Sequence, residues 1–158
     1  MAGILLQHNV ASLGDLIRLA DQSTATAAGS GDATTVTGIT IDRQGFSTGS
    51  MPRSAVFGVL WEATLTTAKT LSIGYAVQDS TDNSTWTDYL TATYAVVANG
   101  SNGLTPKGNF NVAVDLNSAK RYVRFNSNPD LSATGTDTYY ATSAGFVAGF
   151  DRLAAPTS

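Results

Sequence analysis

Between Thr70 and Gln78 the chain alternates without a break. Leu71, Ile73, Tyr75 and Val77 are apolar, and Ser72, Gly74, Ala76 and Gln78 between them are small or polar. A period of two puts each set on its own side of an extended backbone, so this stretch is a strand with one buried face. The run Asp79-Ser80-Thr81-Asp82-Asn83-Ser84 follows, rich in residues whose short side chains bond to nearby backbone and suit turns. Trp86 then opens a return strand, and its ring is expected to turn inward over Tyr75 or Val77. A hairpin of this kind commits the chain to antiparallel sheet.

The pattern continues from Gly38 onward. Candidate strands cover residues 37–42, 54–65, 70–79, 85–89, 92–98, 110–116, 121–126 and 139–150. Turn chemistry separates them: Gly45, Gly49 with Pro52, the 79–84 loop, the 99–103 run, Asn117-Ser118, and residues 126–135 with Pro129. Short strands at this spacing, with no helix between them, predict an all-β fold: an antiparallel β-sandwich or jelly roll of about eight strands.

Residues 1–36 read differently, as an N-terminal arm and linker ahead of a sandwich at 37–152 and a tail at 153–158. Ser12 to Ala20 predicts one short helix, capped by Ser12, with Leu13, Leu16, Ile17 and Ala20 on one face. Two turns are marginal in water, so that face has to be buried against the sandwich or a neighbour. The stretch from Gln22 to Thr37 is Thr, Ala, Gly and Ser with little apolar bulk, an extended linker or a long surface loop.

The strand from Ala55 to Leu65 is apolar on both sides. Ala55, Phe57, Val59, Trp61, Ala63 and Leu65 share one face; Val56, Gly58, Leu60, Glu62 and Thr64 share the other. A strand of this kind lies centrally in the sandwich or has its second face covered by another subunit.

Composition narrows the function. Among 158 residues there is no cysteine, so disulfides and thiolate metal sites are excluded. Charged residues make up 13%, about half the usual share, and the net charge of −3 argues against a nucleic-acid partner. No apolar run approaches the roughly 20 residues that span a bilayer, so no membrane partner is expected. Gly3-Ile4-Leu5-Leu6 is too short for a signal core, and synthesis in a cytoplasm is the expectation.

His8 is the only histidine and Glu62 the only glutamate, which leaves no triad, no zinc ligand set and no evident acid–base pair. No cofactor is expected. Asp79-x-x-Asp82-Asn83 lacks the ligand pattern of a calcium loop and reads as turn chemistry. Lys120-Arg121-Tyr122-Val123-Arg124-Phe125 is the one basic cluster, with Lys120, Tyr122 and Arg124 on one strand face. It is either an exposed face whose long stems cover apolar surface or a patch that meets acidic groups on a partner.

Four features in order carry a family resemblance: Ile39-Thr40-Ile41-Asp42-Arg43-Gln44-Gly45-Phe46, the apolar strand 54–65, the hairpin Val77 to Trp86 with its Asp79, Asp82, Ser84 and Trp86, and Lys120-Arg121-Tyr122-Val123-Arg124. Over about residues 37–126 the chain resembles the small β-sandwich decoration (cement) proteins of tailed-bacteriophage capsids. The resemblance implies a non-enzymatic virion structural protein. It would bind the outer surface of a phage head, with the major capsid protein as partner and often as a homotrimer, and stabilise the capsid. Its place would be the capsid surface, after synthesis in the host cytoplasm. The residues expected to meet partners are Leu13, Leu16, Ile17, Phe57, Trp61, Lys120 and Arg124. The alternative is a carbohydrate- or receptor-binding β-module of a phage tail or fibre, with Trp61, Trp86 and Tyr139-Tyr140 as stacking platforms.

Overall fold

Eight strands form in the computed structural model, which describes residues 14–46, 51–101, 105–133 and 135–148. They are β1 (Gly14–Thr26), β2 (Ile41–Asp42), β3 (Ser54–Thr64), β4 (Thr70–Ser80), β5 (Thr87–Asn99), β6 (Lys107–Asp115), β7 (Tyr122–Leu131) and β8 (Thr138–Ala148). Sheet A has the order β1-β8-β3-β6 and sheet B the order β2-β7-β4-β5, and all pairings are antiparallel. The chain changes sheet at every connection except the β4–β5 hairpin. Two four-stranded sheets interleaved in this order are a jelly roll.

The core lies between the sheets and is aromatic at its centre. Phe57 of β3 meets Phe125 of β7 at 5.6 Å between ring centroids, and Tyr75 of β4 lies 5.6 Å from Phe110 of β6 and 6.2 Å from Phe125. Each pair is within the range where offset and tilted rings attract beyond their buried area. Two of these contacts, Phe57 with Phe125 and Tyr75 with Phe110, join one sheet to the other. Leu19, Leu71, Ile73, Val77, Val123 and Val147 fill the space around them, all fully buried.

The largest correction concerns the N-terminal segment. Residues 14–20 are strand, not helix, and β1 continues to Thr26 through ground expected to be linker. Leu16 and Ile17 therefore fall on opposite faces, because strand period is two. Leu16 is 78% exposed, while Ile17 packs partly against the core. Ser12 and Leu13 lie outside the described residues, as do residues 1–11 and 153–158.

Beyond β1 the expected linker is a clasp. Ala27 N–H donates to Asp137 O at 2.9 Å, Ala33 N–H to Pro129 O at 2.9 Å, and Val36 bridges Ser127. The Asp32 carboxylate accepts from Leu131 N–H at 2.9 Å and from Ala28 N–H at 2.6 Å. Gly31 has φ of +81°, and a Cβ there would lie 2.2 Å from Thr24 O, so only glycine fits.

Two boundaries also moved. The segments 85–89 and 92–98 are one strand, β5, whose register shifts against β4 absorb the irregular pattern. Pro129, expected in a turn, sits within β7 opposite Ile73. Its carbonyl points to Ala33, away from β4, and its nitrogen shares that side, so the missing N–H costs no bond to β4.

Candidate functional site

Once the core is filled, two outer faces remain, and they differ in chemistry. On sheet A the inward set of β3 is Ala55, Phe57, Val59, Trp61 and Ala63, so Val56, Leu60 and Glu62 point out. Register then lines up Leu16, Phe146, Val56 and Ala113, one from each strand, into a single apolar row. Leu60 is 53% exposed and Val56 43%. A shallow hollow of about 580 Å³ lies against Val56, Ala113, Phe146 and Ala148. Towards the other end of β3, Glu62 stands opposite Tyr140 and pairs with Lys107 at 2.8 Å. Arg53 and Asp115 line the same hollow, so the face is an apolar row with charge at both ends, and contiguous exposed apolar side chains mark an interaction surface.

Phe57 and Trp61, expected on such a surface, are on the wrong side of β3. Both belong to the core, at 0% and 7% exposure. Their parity with Ala63 and Leu65 was readable; which parity faced out was not.

On sheet B the recognisable motifs turn out to hold one another. Asp42 receives Arg121 through Nε at 3.0 Å and a terminal nitrogen at 2.7 Å, a two-pronged pair that holds its carboxyl below the ordinary value. Lys120 Nζ donates to Asp79 Oδ1 at 2.8 Å and to Thr87 Oγ1 at 2.6 Å. Burial alone would raise the Asp79 carboxyl, but hydrogen bonds from Lys120 and Thr87 outweigh it and bring it below the ordinary value. Arg124 Nε donates to Gln78 Oε1 at 2.9 Å, with its guanidinium 4.2 Å from the centroid of the Trp86 ring. Lys120 and Arg124 are thus engaged within the chain.

Asp82 closes the hairpin loop. Its carboxylate accepts from Thr85 N–H at 2.8 Å, Ser84 N–H at 2.9 Å and Ser80 Oγ at 2.8 Å, which holds it well below the usual carboxylate range. Among the described residues no three His, Cys, Asp or Glu side chains gather as a metal site requires, and no helix is long and apolar enough to cross a membrane.

Trp86 corrects a second expectation. Its ring lies over Arg124, outside the core that contains Tyr75 and Val77. Trp86→Ala should therefore leave the domain folded and cost about 0.5–1 kcal/mol, the worth of an exposed cation–π contact, rather than the roughly 3–5 of a core aromatic. A denaturant midpoint measured beside wild type checks this, and a loss above about 3 kcal/mol would return Trp86 to the core.

Beside this network sheet B carries a groove of about 330 Å³, lined by Thr35, Gly74, Ala76, Gln78, Asp88, Thr93, Tyr94, Asn126 and Asn128. Gly74 and Ala76 are the small outward positions of β4, so they form a low floor. Tyr94 closes one side, 45% exposed, with its ring 3.3 Å from where a Cβ on Gly74 would stand. Gln78 is fixed from three directions: Arg124 and Asn126 donate to its oxygen, and its nitrogen donates to Asp88 Oδ1 at 2.7 Å. Of the expected stacking platforms, Trp61 and Tyr139 are buried, and Tyr140 belongs to the face of sheet A. Tyr94 carries no signal in the sequence, because its place over Gly74 depends on the register of β5 against β4.

No protein-family model and no curated protein matches the chain. Among solved structures it is similar to a structure of infectious bursal disease virus, Gx strain, with a TM-score of 0.50 and 14% identity over 89% of this chain and 33% of that one. A VP2 subviral particle of the same virus gives a TM-score of 0.45 and 16% identity over 87% of this chain and 32% of that one. The CBM22-1–GH10 modules of a Clostridium thermocellum xylanase, complexed with xylohexaose, give 0.40 and 10% over 90% of this chain and 27% of that one. The chain therefore spans about a third of the length of the viral proteins it matches. At such identities the likeness is one of fold alone, an antiparallel β-sandwich.

Proposed function

We propose that this chain is a non-enzymatic structural protein of a virion, which binds the outer surface of a phage head through sheet A and stabilises the shell. The observation that carries the reading is the apolar row Leu16–Phe146–Val56–Ala113, with Leu60 beside it, on a jelly roll whose recognisable motifs are spent on its own folding. A cement protein needs no chemistry. It adds interfaces, mass action then favours the assembled state, and symmetry multiplies many weak contacts. The major capsid protein is the proposed partner, met by a trimer of these chains, and the family resemblance of residues 37–126 supports the same reading.

Co-sedimentation with purified expanded phage heads tests it. Wild type should pellet with heads. The double variant Val56→Glu, Leu60→Glu, whose side chains point away from the core, should keep its melting profile and stay in the supernatant. Wild type left in the supernatant, or a folded double variant that pellets equally, would remove the proposal.

A further inference from the structure

The groove on sheet B lies on the side of the sandwich opposite the apolar row, so a chain docked through sheet A would present it outward. We propose that this groove, between Tyr94 and Gln78, binds a neutral sugar ring. Its size, about 330 Å³, stands at the lower end of small-ligand pockets and suits one or two rings.

The chemistry of the lining selects the ligand class. Gln78 and Asn126 are amides in fixed relation: with its oxygen accepting from Arg124 and Asn126 and one N–H given to Asp88, Gln78 keeps one N–H for a sugar hydroxyl, and Asn126 keeps one N–H and one lone pair. The Gln78 and Asn126 amides are already held in position. Asn126 Nδ2 donates to Gln78 Oε1 at 3.0 Å, and Asn126 Oδ1 accepts from Gly38 N–H at 3.2 Å. A ligand therefore meets groups whose ordering entropy was lost on folding.

Tyr94 adds the complementary surface. Its half-exposed ring, seated over Gly74, gives the C–H face of a pyranose an apolar wall, while Ala76 next to it leaves a low floor. Charge argues for neutrality. Asp88 is the one charged residue in the lining, which disfavours an anion, and the nearest cation, Arg124, is occupied by Gln78 and covered by Trp86. A single carboxylate already bonded to Gln78 is a poor trap for a cation as well.

The test uses the isolated full chain, so it stands apart from any binding to heads. Isotope-labelled protein is titrated with glucose, galactose and N-acetylglucosamine, with glucuronate as the charged control, and amide and side-chain NH₂ shifts are followed. At least one neutral sugar should move Gln78, Asn126, Asn128 and Tyr94 together, with a dissociation constant on the order of 1 mM, as expected for a small ligand in an open groove. Tyr94→Ala and Gln78→Ala should each weaken that binding about tenfold or more. Tyr94 is half exposed, so its variant should melt as wild type does. Three outcomes would overturn the proposal: no localised shift with any neutral sugar, shifts that persist unchanged in both variants, or glucuronate binding as tightly as the neutral sugars.

Discussion

Deleting residues 1–36 should leave a chain that does not fold. The deletion removes β1, which pairs with β8 from Gly14↔Ala148 to Thr26↔Thr138. It also takes Leu19, Ala25 and Ala27 out of the core, where they are 0%, 4% and 4% exposed. Leu19 is the critical side chain. It meets Gly145 of β8 beside Phe57, where a Cβ on residue 145 would lie 2.8 Å from Phe57 and 3.1 Å from Leu19. Losing one buried leucine costs about 2–5 kcal/mol, and the whole stability of a domain this size is about 5–15. Loss of a strand, its ladder and the clasp at Asp32 exceeds that total. The remaining edge, β8, would be a long strand with unpaired backbone groups, so aggregation should accompany unfolding. Circular dichroism and a thermal scan check this, with Leu19→Ala as the milder variant. A truncated chain that melts cooperatively within a few degrees of wild type would restore residues 1–36 as an arm and linker outside the sandwich.

That outcome reverses what residues 1–36 suggest on their own, and the reason is physical. Asp15-Leu16-Ile17-Arg18-Leu19-Ala20 satisfies helical spacing as well as strand spacing, because short apolar runs carry both periods. The decision is made by β8, more than a hundred residues away, whose Gly145 leaves a gap that only an extended β1 fills with Leu19. Tertiary pairing overrides local propensity in such segments. The β4–β5 hairpin was legible for the opposite reason: it is the one connection that stays within a sheet, so its signal is local. The fold class and the approximate strand count followed from alternation and turn residues, while the long-range order of strands did not.

The surfaces were legible by parity alone. The two faces of residues 55–65 separate cleanly in the sequence, yet both are apolar, and only the position of sheet B tells which is inside. The basic cluster at 120–125 misled for a related reason. Cations look available in a sequence until their partners are found, and here Gln78 and Asp79 come from β4 and Asp42 from β2, far from the cluster in sequence. The groove depends on the smallness of Gly74 and Ala76 in β4 and on Tyr94 in β5, a pattern that has no meaning until the two strands are in register.

Arg43 should prove as sensitive as any apolar residue. It follows β2 in the chain and is 2% exposed, and among the described residues no carboxylate is bonded to it. Its guanidinium instead gathers backbone carbonyls: Pro52 at 2.8 Å, Leu116 at 2.7 Å and Lys120 at 3.1 Å, together with Ala119. These carbonyls belong to Arg43's own connection, before β3, and to the one between β6 and β7, so one side chain ties two loops at one end of the sandwich. Burial pulls the guanidinium down from its ordinary value, but an arginine stays charged in proteins, so the carbonyls must balance it. Arg43→Met keeps much of the bulk and removes every donor. Several buried acceptors are then orphaned at about 1–3 kcal/mol each, partly relieved by water, for a net loss of about 3–5. Arg43→Lys should recover only part of that loss, since three donors on one nitrogen cannot reach carbonyls arranged around a planar fork. Denaturant unfolding of the three proteins should rank wild type, lysine and methionine in that order. A lysine variant as stable as wild type would show that charge, and not the fork, holds the loops together.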